Sequence, residues 1–336
     1  MFGRFQLANP LLVRPCVKLI IVASLLAGCT ADSDPAAYDE GLGTPESPIP
    51  SEESYALVSR MRLSLAVPAV DQAVGKVRAL GENPARALLA RPGGAELLAA
   101  VPASVRNNVE GYINTELDKV RIASKTLRQY ATDVTRFAQD VLGEVVIDSS
   151  LSITPSSTVH SLVDLSFTPG DVDVIVPIGG LSADALLQRP TADVAAAGAL
   201  VLGEQRFGLG FGSHAWQAIN LASTRLYGGD VSIFTSAVNC TTLAQTVAAK
   251  CVSGTCVGHA QDIAAVCTNG LAGTIGELGM QLASVKITAM RFTHGSARLV
   301  DTDGDGLANR IVDGSWDAQI DVGAGPVAAT ATFATE

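Results

Sequence analysis

Three aspartates on alternate residues near the C-terminus have the type and spacing to bind a metal ion. They lie in the stretch Asp301-Thr302-Asp303-Gly304-Asp305-Gly306-Leu307-Ala308-Asn309. A hard cation such as Ca²⁺ takes about six to eight oxygen ligands, and alternate carboxylates of a tight loop can converge on one point. Gly306 permits a sharp turn, Leu307 would contribute its backbone oxygen, and Asn309 its side-chain oxygen, directly or through water. The sequence therefore predicts a calcium site formed by Asp301, Asp303, Asp305, Leu307 and Asn309.

Over these nine residues the loop resembles the Asp-x-Asp-x-Asp-Gly calcium loops of EF-hands, thrombospondin type 3 repeats and integrin-type propellers. The EF-hand version fails, because Val312 stands at position twelve in place of a bidentate Glu and strands are predicted on both sides. The propeller-type loop, which joins two strands, fits Leu299-Val300 before it and Arg310-Ile311-Val312 after it. The ninth residue of that loop is usually Asp. Asn309 should therefore weaken binding, unless Asp313 replaces the lost charge.

The same residues allow a metal-free interpretation, in which the aspartates only cap the turns of a hairpin. Three crowded carboxylates would repel one another without a cation, which favours the metal. An ion that binds the folded loop better than the unfolded one stabilises the fold. The expected role is structural, with calcium stabilising the C-terminal strands and no part in catalysis.

The first 28 residues have the three parts of a secretory signal. A basic start without acidic residues precedes a short apolar run at 19–25, and small residues follow that run. The run is too short to span a bilayer as a helix of the mature protein. We therefore predict that residues 1–28 are removed after export.

The signal ends in Leu26-Ala27-Gly28-Cys29, which resembles the lipobox of bacterial lipoproteins. The resemblance implies that the thiol of Cys29 receives a diacylglyceryl group, that the chain is cut before Cys29, and that the new amine is acylated. Because Thr30 follows the cysteine in place of Asp, resemblance to enterobacterial sorting implies the outer membrane. The alternative is an ordinary signal peptide that contains a cysteine by chance.

The net charge of the chain after the predicted signal limits the kinds of partner that it can bind. Without the first 28 residues the chain carries 20 basic and 33 acidic residues, a net charge of −13. This balance argues against nucleic acid and against direct attraction to anionic lipid, so membrane attachment would depend on the acyl chains. Residues 29–54 are acidic and rich in proline, and they predict a disordered tether about 25–30 Å long. The alternative is a segment that docks on the folded domain.

Four cysteines remain after Cys16 in the signal and Cys29 are set aside. They are spaced Cys-x10-Cys, four residues, Cys-x10-Cys, and an even number fits an oxidising compartment. Two antiparallel helices would pair Cys240 with Cys267 and Cys251 with Cys256, a layout similar to the twin-cysteine helical hairpin of small oxidised proteins. Pairing of Cys240 with Cys251 and of Cys256 with Cys267, a crossed pairing and a zinc site are the alternatives.

No catalytic set is recognisable among the motifs. The four histidines form no His-x3-His pair, and neither a Gly-x-Ser-x-Gly elbow nor a phosphate-binding loop is present. Ser213 and His214 are the nearest pair of nucleophile and base, but neighbours in a strand point to opposite faces. We therefore predict that the protein is not an enzyme.

Periodicity predicts helices in the N-terminal part and strands after it. Residues 55–101 favour short helices, and 104–142 carry an apolar residue at every seventh position, which predicts one long helix of about 60 Å. It would pack on the chain's own sheet or helices, with a coiled coil as the alternative. Glycines 208, 210 and 212 share one strand face and predict close approach of a neighbour. Alternation predicts strands at 159–167, 171–178, 194–202, 205–212 and 215–227 and, after a helical stretch at 231–284, at 286–292, 296–300, 314–322 and 327–333.

The expected fold is α+β, with one domain over 55–336. It would consist of a helical part (55–144), strands (145–230), a disulfide-clamped helical hairpin (231–284) and C-terminal strands with the calcium-type loop (285–336), in which the strands form one large antiparallel sheet. The predicted function is that of a non-catalytic, lipid-anchored cell-envelope protein with a binding or scaffolding role. The alternative is a carrier of an apolar ligand such as a lipid, held in a cavity of the sheet.

Overall fold

The computed structural model describes residues 49–50, 54–63, 67–178, 186–322 and 325–335. The predicted signal 1–28, with Leu26–Cys29, lies outside the described residues, as does all of the predicted tether except 49–50 and 54. The predicted α+β class is confirmed, with helices before a large antiparallel sheet and a disulfide-linked helix pair before the last strands.

The helices of the described residues lie mainly in two groups, one before residue 144 and one between residues 211 and 283. They are α1 (Pro68–Glu82), α2 (Pro84–Leu89), α3 (Gly94–Ala100), α4 (Ala103–Arg106), α5 (Val109–Leu117), α6 (Leu127–Gly143), α7 (Phe211–Tyr227), α8 (Ile233–Ser236), α9 (Cys240–Ala248) and α10 (Ala260–Ala283).

The strands alternate between buried and exposed residues along most of their length, as expected for a sheet with one face covered and one face in water. They are β1 (Ile49–Pro50), β2 (Ser54–Arg62), β3 (Arg121–Ile122), β4 (Lys125–Thr126), β5 (Glu144–Ile153), β6 (Thr158–Phe167), β7 (Val174–Pro177), β8 (Leu187–Gln188), β9 (Ala192–Val194), β10 (Ala199–Leu202), β11 (Gln205–Leu209), β12 (Cys251–Val252), β13 (Thr255–Cys256), β14 (Ile287–Val300), β15 (Leu307–Ala308), β16 (Arg310–Asp321) and β17 (Pro326–Thr335).

Eleven of the described strands form one antiparallel sheet in the order β7-β6-β5-β2-β17-β16-β14-β10-β9. β11 follows β10 along the same edge of β14, and β8 pairs with β6. The rings of His160 on β6 and Trp316 on β16 stack with centroids 6.3 Å apart. In a flat sheet these strands, four positions apart, would be separated by about 19 Å at a spacing of ~4.8 Å. The sheet is therefore strongly curved, and its concave face is filled by side chains.

The helices form a second layer that is packed by apolar side chains. α1 contacts α6 and α10, and α7 contacts α6, α10 and β7. Phe211 at the start of α7 packs on Phe167 of β6, with ring centroids 5.9 Å apart. Tyr130 of α6 packs edge-on against Tyr227 of α7 at 4.7 Å. Sheet and helices therefore share one hydrophobic core.

The single long helix predicted over 104–142 is wrong. The chain forms α4 and α5, then reverses through the β3–β4 hairpin, in which Ala123 has φ +52°, and only then begins α6. Thr126 starts α6 with a capping box, because its hydroxyl accepts from the Gln129 amide while the Gln129 side chain bonds back. Apolar residues recur across the break because α5 and α6 both face the core.

The strand predicted over 215–227 is also wrong, since these residues belong to α7. Ala215, Ala218, Ile219 and Ala222 are buried at helical spacing. The preceding strand ends at Leu209 instead of Gly212, and the part predicted to be helical from residue 55 begins with β2. The predicted hairpin over 231–284 contains α9 and α10, but these helices are joined by the β12–β13 hairpin rather than by a simple turn.

Candidate metal centre

The acidic loop connects the two adjacent strands β14 and β16. Val300 pairs with Arg310 at the end of this ladder, and the Asn309 amide donates to the Val300 carbonyl at 3.1 Å. Gly304 and Gly306 have φ of +79° and +87°, values that favour glycine in the two turns of the loop. Buried Ala308 is held from the core side, because the Tyr55 hydroxyl donates to its carbonyl at 2.8 Å.

Asp301 organises the first half of the loop through hydrogen bonds to backbone amides. Its Oδ1 accepts from the amides of Asp303 at 3.1 Å and Gly304 at 2.6 Å, and its Oδ2 accepts from Gly306 at 2.8 Å. The amides of Gly306 and Gly304 hold the pKa of the Asp301 carboxyl below its usual range, because they stabilise the charged form. Asp301 is therefore an anion at neutral pH, as a cation ligand must be.

The three predicted carboxylates are brought together. One oxygen from each of Asp301, Asp303 and Asp305 lies within 4.8 Å of the others, with Asp301 half-buried and the other two exposed. The amide of Leu307 donates to Asp305 Oδ1 at 2.7 Å, which fixes the third carboxylate. Clustered anionic oxygens on a preformed loop suit a hard cation such as Ca²⁺.

The other predicted ligands are engaged in contacts of their own. The side-chain oxygen of Asn309 accepts from the amide of Thr302 at 3.1 Å and from its hydroxyl at 2.9 Å. Leu307 belongs to β15 and pairs in parallel with β1. The carboxylate of Asp313 accepts from Arg298 at 3.2 Å, so Asp313 belongs to an ion pair rather than to the carboxylate group.

β1 brings the end of the predicted tether to this loop. Ile49 pairs with Leu307 and Pro50 with Ala308 in a parallel bridge, while β2 begins shortly afterwards at Ser54. The chain therefore joins the folded domain beside the acidic loop.

Two disulfides lie in the segment of α9 and α10, and they form the pairs predicted for two antiparallel helices. Cys240 at the start of α9 is bonded to Cys267 in α10, with Cα atoms 5.7 Å apart. Cys251 and Cys256 face each other across the β12–β13 hairpin, with Cα atoms 3.8 Å apart. Cys240 and Cys251 do not share a continuous helix, because α9 ends at Ala248 and Cys251 belongs to β12. Disulfides indicate an oxidising, extracytoplasmic compartment.

The histidines lie apart from the acidic loop. Ser213 and His214 lie in the first turn of α7 instead of a strand, and His214 Nδ1 lies 2.9 Å from the Gly210 carbonyl. His259 contacts Asp262 at 3.2 Å, and exposed His294 contacts Asp317 at 2.9 Å.

Sequence reasoning missed a buried polar group around His160. Its Nδ1 contacts Gln205 Oε1 and its Nε2 lies 2.9 Å from Ser149 Oγ, within the aromatic cluster of the concave face. Burial lowers the pKa of His160, because the charged ring loses its water. The available signal was the alternation that places His160 on the buried face of β6, between Thr158 and Leu162.

No known protein family matches the chain, and no curated protein or solved structure matches it significantly. Among the described helices, none combines the length and the apolar character needed to cross a membrane.

Proposed function

We propose that this protein is a non-catalytic, lipid-anchored protein of the cell envelope, with a binding or scaffolding role and a calcium ion that stabilises its C-terminal strands. The observation that carries the proposal is the group of three carboxylates of Asp301, Asp303 and Asp305 in the loop between β14 and β16. The anchor is supported by the lipobox resemblance at Cys29, and the compartment by the two disulfides.

Calcium fits the acidic loop because the ligand atoms are already near one another. Hydrogen bonds from backbone amides fix the carboxylates of Asp301 and Asp305, so a cation would bind to a preformed loop. The cation would also relieve the repulsion among the three carboxylates. The same hydrogen bonds also agree with the metal-free interpretation, in which the aspartates cap turns. The two differ in one measurable property, which is the stability gained when calcium is added.

The alternative of an apolar-ligand carrier would need space on the concave face of the sheet. The rings of His160, Phe207, Phe292, Trp316 and Phe333 are each at most 3% exposed, and neighbouring centroids lie 4.5–6.3 Å apart. A concave face filled in this way favours a packed core over a ligand cavity, which is why we prefer the scaffold.

The calcium proposal is tested by thermal unfolding of the purified protein in millimolar calcium and in chelator. An ion present at a hundred times its dissociation constant adds about 2.7 kcal/mol to the free energy of unfolding. Asp303→Ala should abolish the shift, while Asp317→Ala, which removes an exposed carboxylate of β16 outside the loop, should preserve it. An unchanged midpoint without heat of binding in titration calorimetry would contradict the proposal, and so would a full shift in Asp303→Ala.

The anchor is tested separately by metabolic labelling with a clickable palmitate analogue in a bacterial host. The wild-type chain should become labelled and fractionate with membranes, whereas Cys29→Ser should lose both properties. Cys16→Ser, which changes a cysteine inside the predicted signal, is the matched control and should behave like the wild type. Label that persists in Cys29→Ser would refute attachment at this cysteine.

A further inference from the structure

The two disulfides differ in their surroundings. Cys240 and Cys267 are 8% and 2% exposed and join α9 to α10 inside the core, whereas Cys251 and Cys256 are both exposed residues of the β12–β13 hairpin. Exposed disulfides are the ones that thiols reach and reduce, while buried ones are protected. We propose that Cys251–Cys256 is a reversible thiol–disulfide exchange site for a protein dithiol of the extracytoplasmic compartment.

The hairpin around this disulfide is held by other bonds. Outside the cysteine pair, the Val257 amide donates to the Lys250 carbonyl at 2.9 Å and the Gly258 amide donates to the Ala248 carbonyl at 3.0 Å. Val257 is fully buried and fixes the second strand of the hairpin to the core. Cys240–Cys267 already connects the two helices that the hairpin joins. Opening Cys251–Cys256 would therefore leave α9, α10 and the ends of the hairpin in place.

The tip of the hairpin is open to an approaching protein. Ser253 and Gly254 are exposed and have φ of +51° and +79°, which form the tight turn between β12 and β13, while both strands contact α4. Over residues 250–258 the only charged side chain is that of Lys250, so the hairpin itself carries no carboxylate that would repel an incoming thiolate. This contrasts with the acidic balance of the chain as a whole.

The exchange takes place in two balanced steps. A thiolate of the dithiol attacks one sulfur of Cys251–Cys256, a mixed disulfide forms, and the other cysteine leaves as a thiolate that takes up a proton. The second thiolate of the dithiol then attacks the mixed disulfide and releases the remaining cysteine. Two electrons pass from the dithiol to the protein, the dithiol becomes a disulfide, and Cys251 and Cys256 become thiols.

The test is the rate of reduction of each disulfide in the native, full-length mature protein. Samples exposed to a dithiol reductant, and separately to a protein dithiol with a Cys-x-x-Cys site, are quenched with an alkylating reagent and mapped by mass spectrometry. Cys251 and Cys256 should be alkylated at least tenfold faster than Cys240 and Cys267, with an unchanged circular dichroism spectrum.

A trapping experiment identifies the site of attack. A protein dithiol whose second cysteine is replaced by Ser should form a mixed disulfide with the wild-type chain, and the double variant Cys251→Ser/Cys256→Ser should form none while keeping the native spectrum. Equal rates at the two disulfides would overturn the proposal. Protection of Cys251–Cys256 until denaturant is added, or loss of the native spectrum when it is reduced, would also overturn it.

Discussion

Gly212 allows a test of how the helix layer is assembled, because no larger residue fits at this position. Gly212 lies in the first turn of α7, and its amide donates to the Val285 carbonyl at 2.9 Å. A Cβ on Gly212 would overlap the carbonyl oxygen of Leu282 and lie 2.8 Å from the carbonyl oxygen of Val285. Both obstacles are backbone atoms, one in the last turn of α10 and one just after it, so no side-chain rotation can relieve the clash.

The expected cost of Gly212→Ala follows from two opposing effects. Overpacking of a well-packed core costs about 1–3 kcal/mol. The greater helix preference of Ala offsets about 0.5–1 kcal/mol of that cost. The obstacles are rigid, which places the clash near the upper end, and we expect a net loss of about 2 kcal/mol. With an unfolding entropy of about 2.1 cal/mol/K per residue, the melting temperature of a domain of this size should fall by about 3–4 °C.

Two glycines of α10 provide controls, because alanine at these positions should change the free energy of unfolding in the opposite direction. Gly273 and Gly276 are exposed, and a Cβ on either would meet no atom within 4 Å. Alanine there should raise the free energy of unfolding by about 0.5–1 kcal/mol each. Urea unfolding followed by circular dichroism measures the three midpoints, and equal slopes show that only stability has changed. A midpoint for Gly212→Ala at or above that of the wild type would refute the close packing of α7 on α10.

Two further predictions concern pH. Burial lowers the pKa of His160, so below about pH 6.5 the unfolded chain binds a proton that the folded chain does not. The free energy of unfolding should therefore fall as the pH drops below about 6.5, by up to ~1.4 kcal/mol per pH unit. Urea unfolding across that range should show this slope in the wild type and not in His160→Gln. Lys76 and Arg91 hold the pKa of Glu277 below its usual range, so its stabilisation is present at neutral pH and is lost as pH falls through the carboxylate range. Glu277→Gln should cost about 1 kcal/mol at neutral pH, whereas Glu204→Gln, in an exposed ion pair, should leave the midpoint unchanged. Equal midpoints for the two glutamine variants, or an unaltered pH slope in His160→Gln, would contradict these assignments.

The pattern of apolar and polar residues predicts the strands where it stays regular over several residues. Alternation placed β6 and β17 nearly at their observed limits, and it located β14 and β16 on either side of the acidic loop. The helical prediction from residue 55 is wrong at β2, where every second residue of Ser54–Arg62 is buried. The Ala- and Leu-rich composition after residue 55 favours helices, but the period of two is the signal that matches β2.

The long helix predicted over 104–142 and the strand predicted over 215–227 are wrong for different reasons. Periodicity along the chain does not show where the chain reverses, unless Gly or Pro marks the turn. The β3–β4 hairpin turns at Ala123, which adopts φ +52° without either residue, so the apolar repeat was continued through it. Before α7 a glycine does mark the break, since β11 ends at Leu209 and Gly210 precedes the first residue of the helix, but a glycine alone does not show that a helix follows.

The acidic loop and the buried polar group around His160 also differ in how far the sequence predicts them. Asp301, Asp303 and Asp305 lie on alternate residues of one loop, so their spacing alone predicts that their carboxylates converge. Ser149 and His160 lie on the consecutive, paired strands β5 and β6, but Gln205 lies on β11, and only the curvature of the sheet brings it to His160. A site of that kind has no local signature.

The position of the acidic loop determines how a bound cation would be detected. β14 and β16 are interior strands of the sheet, and β14 pairs with β16 on one side and with β10 and β11 on the other. The Tyr55 hydroxyl bonds to Ala308, which fixes the loop to β2 as well. Opening of the loop therefore disturbs long-range pairings of the sheet, and cation binding should be linked to unfolding of the whole domain rather than to local fraying. A calcium ion bound here should move the global melting transition, whereas an ion held only by mobile exposed carboxylates would give heat of binding with no such shift.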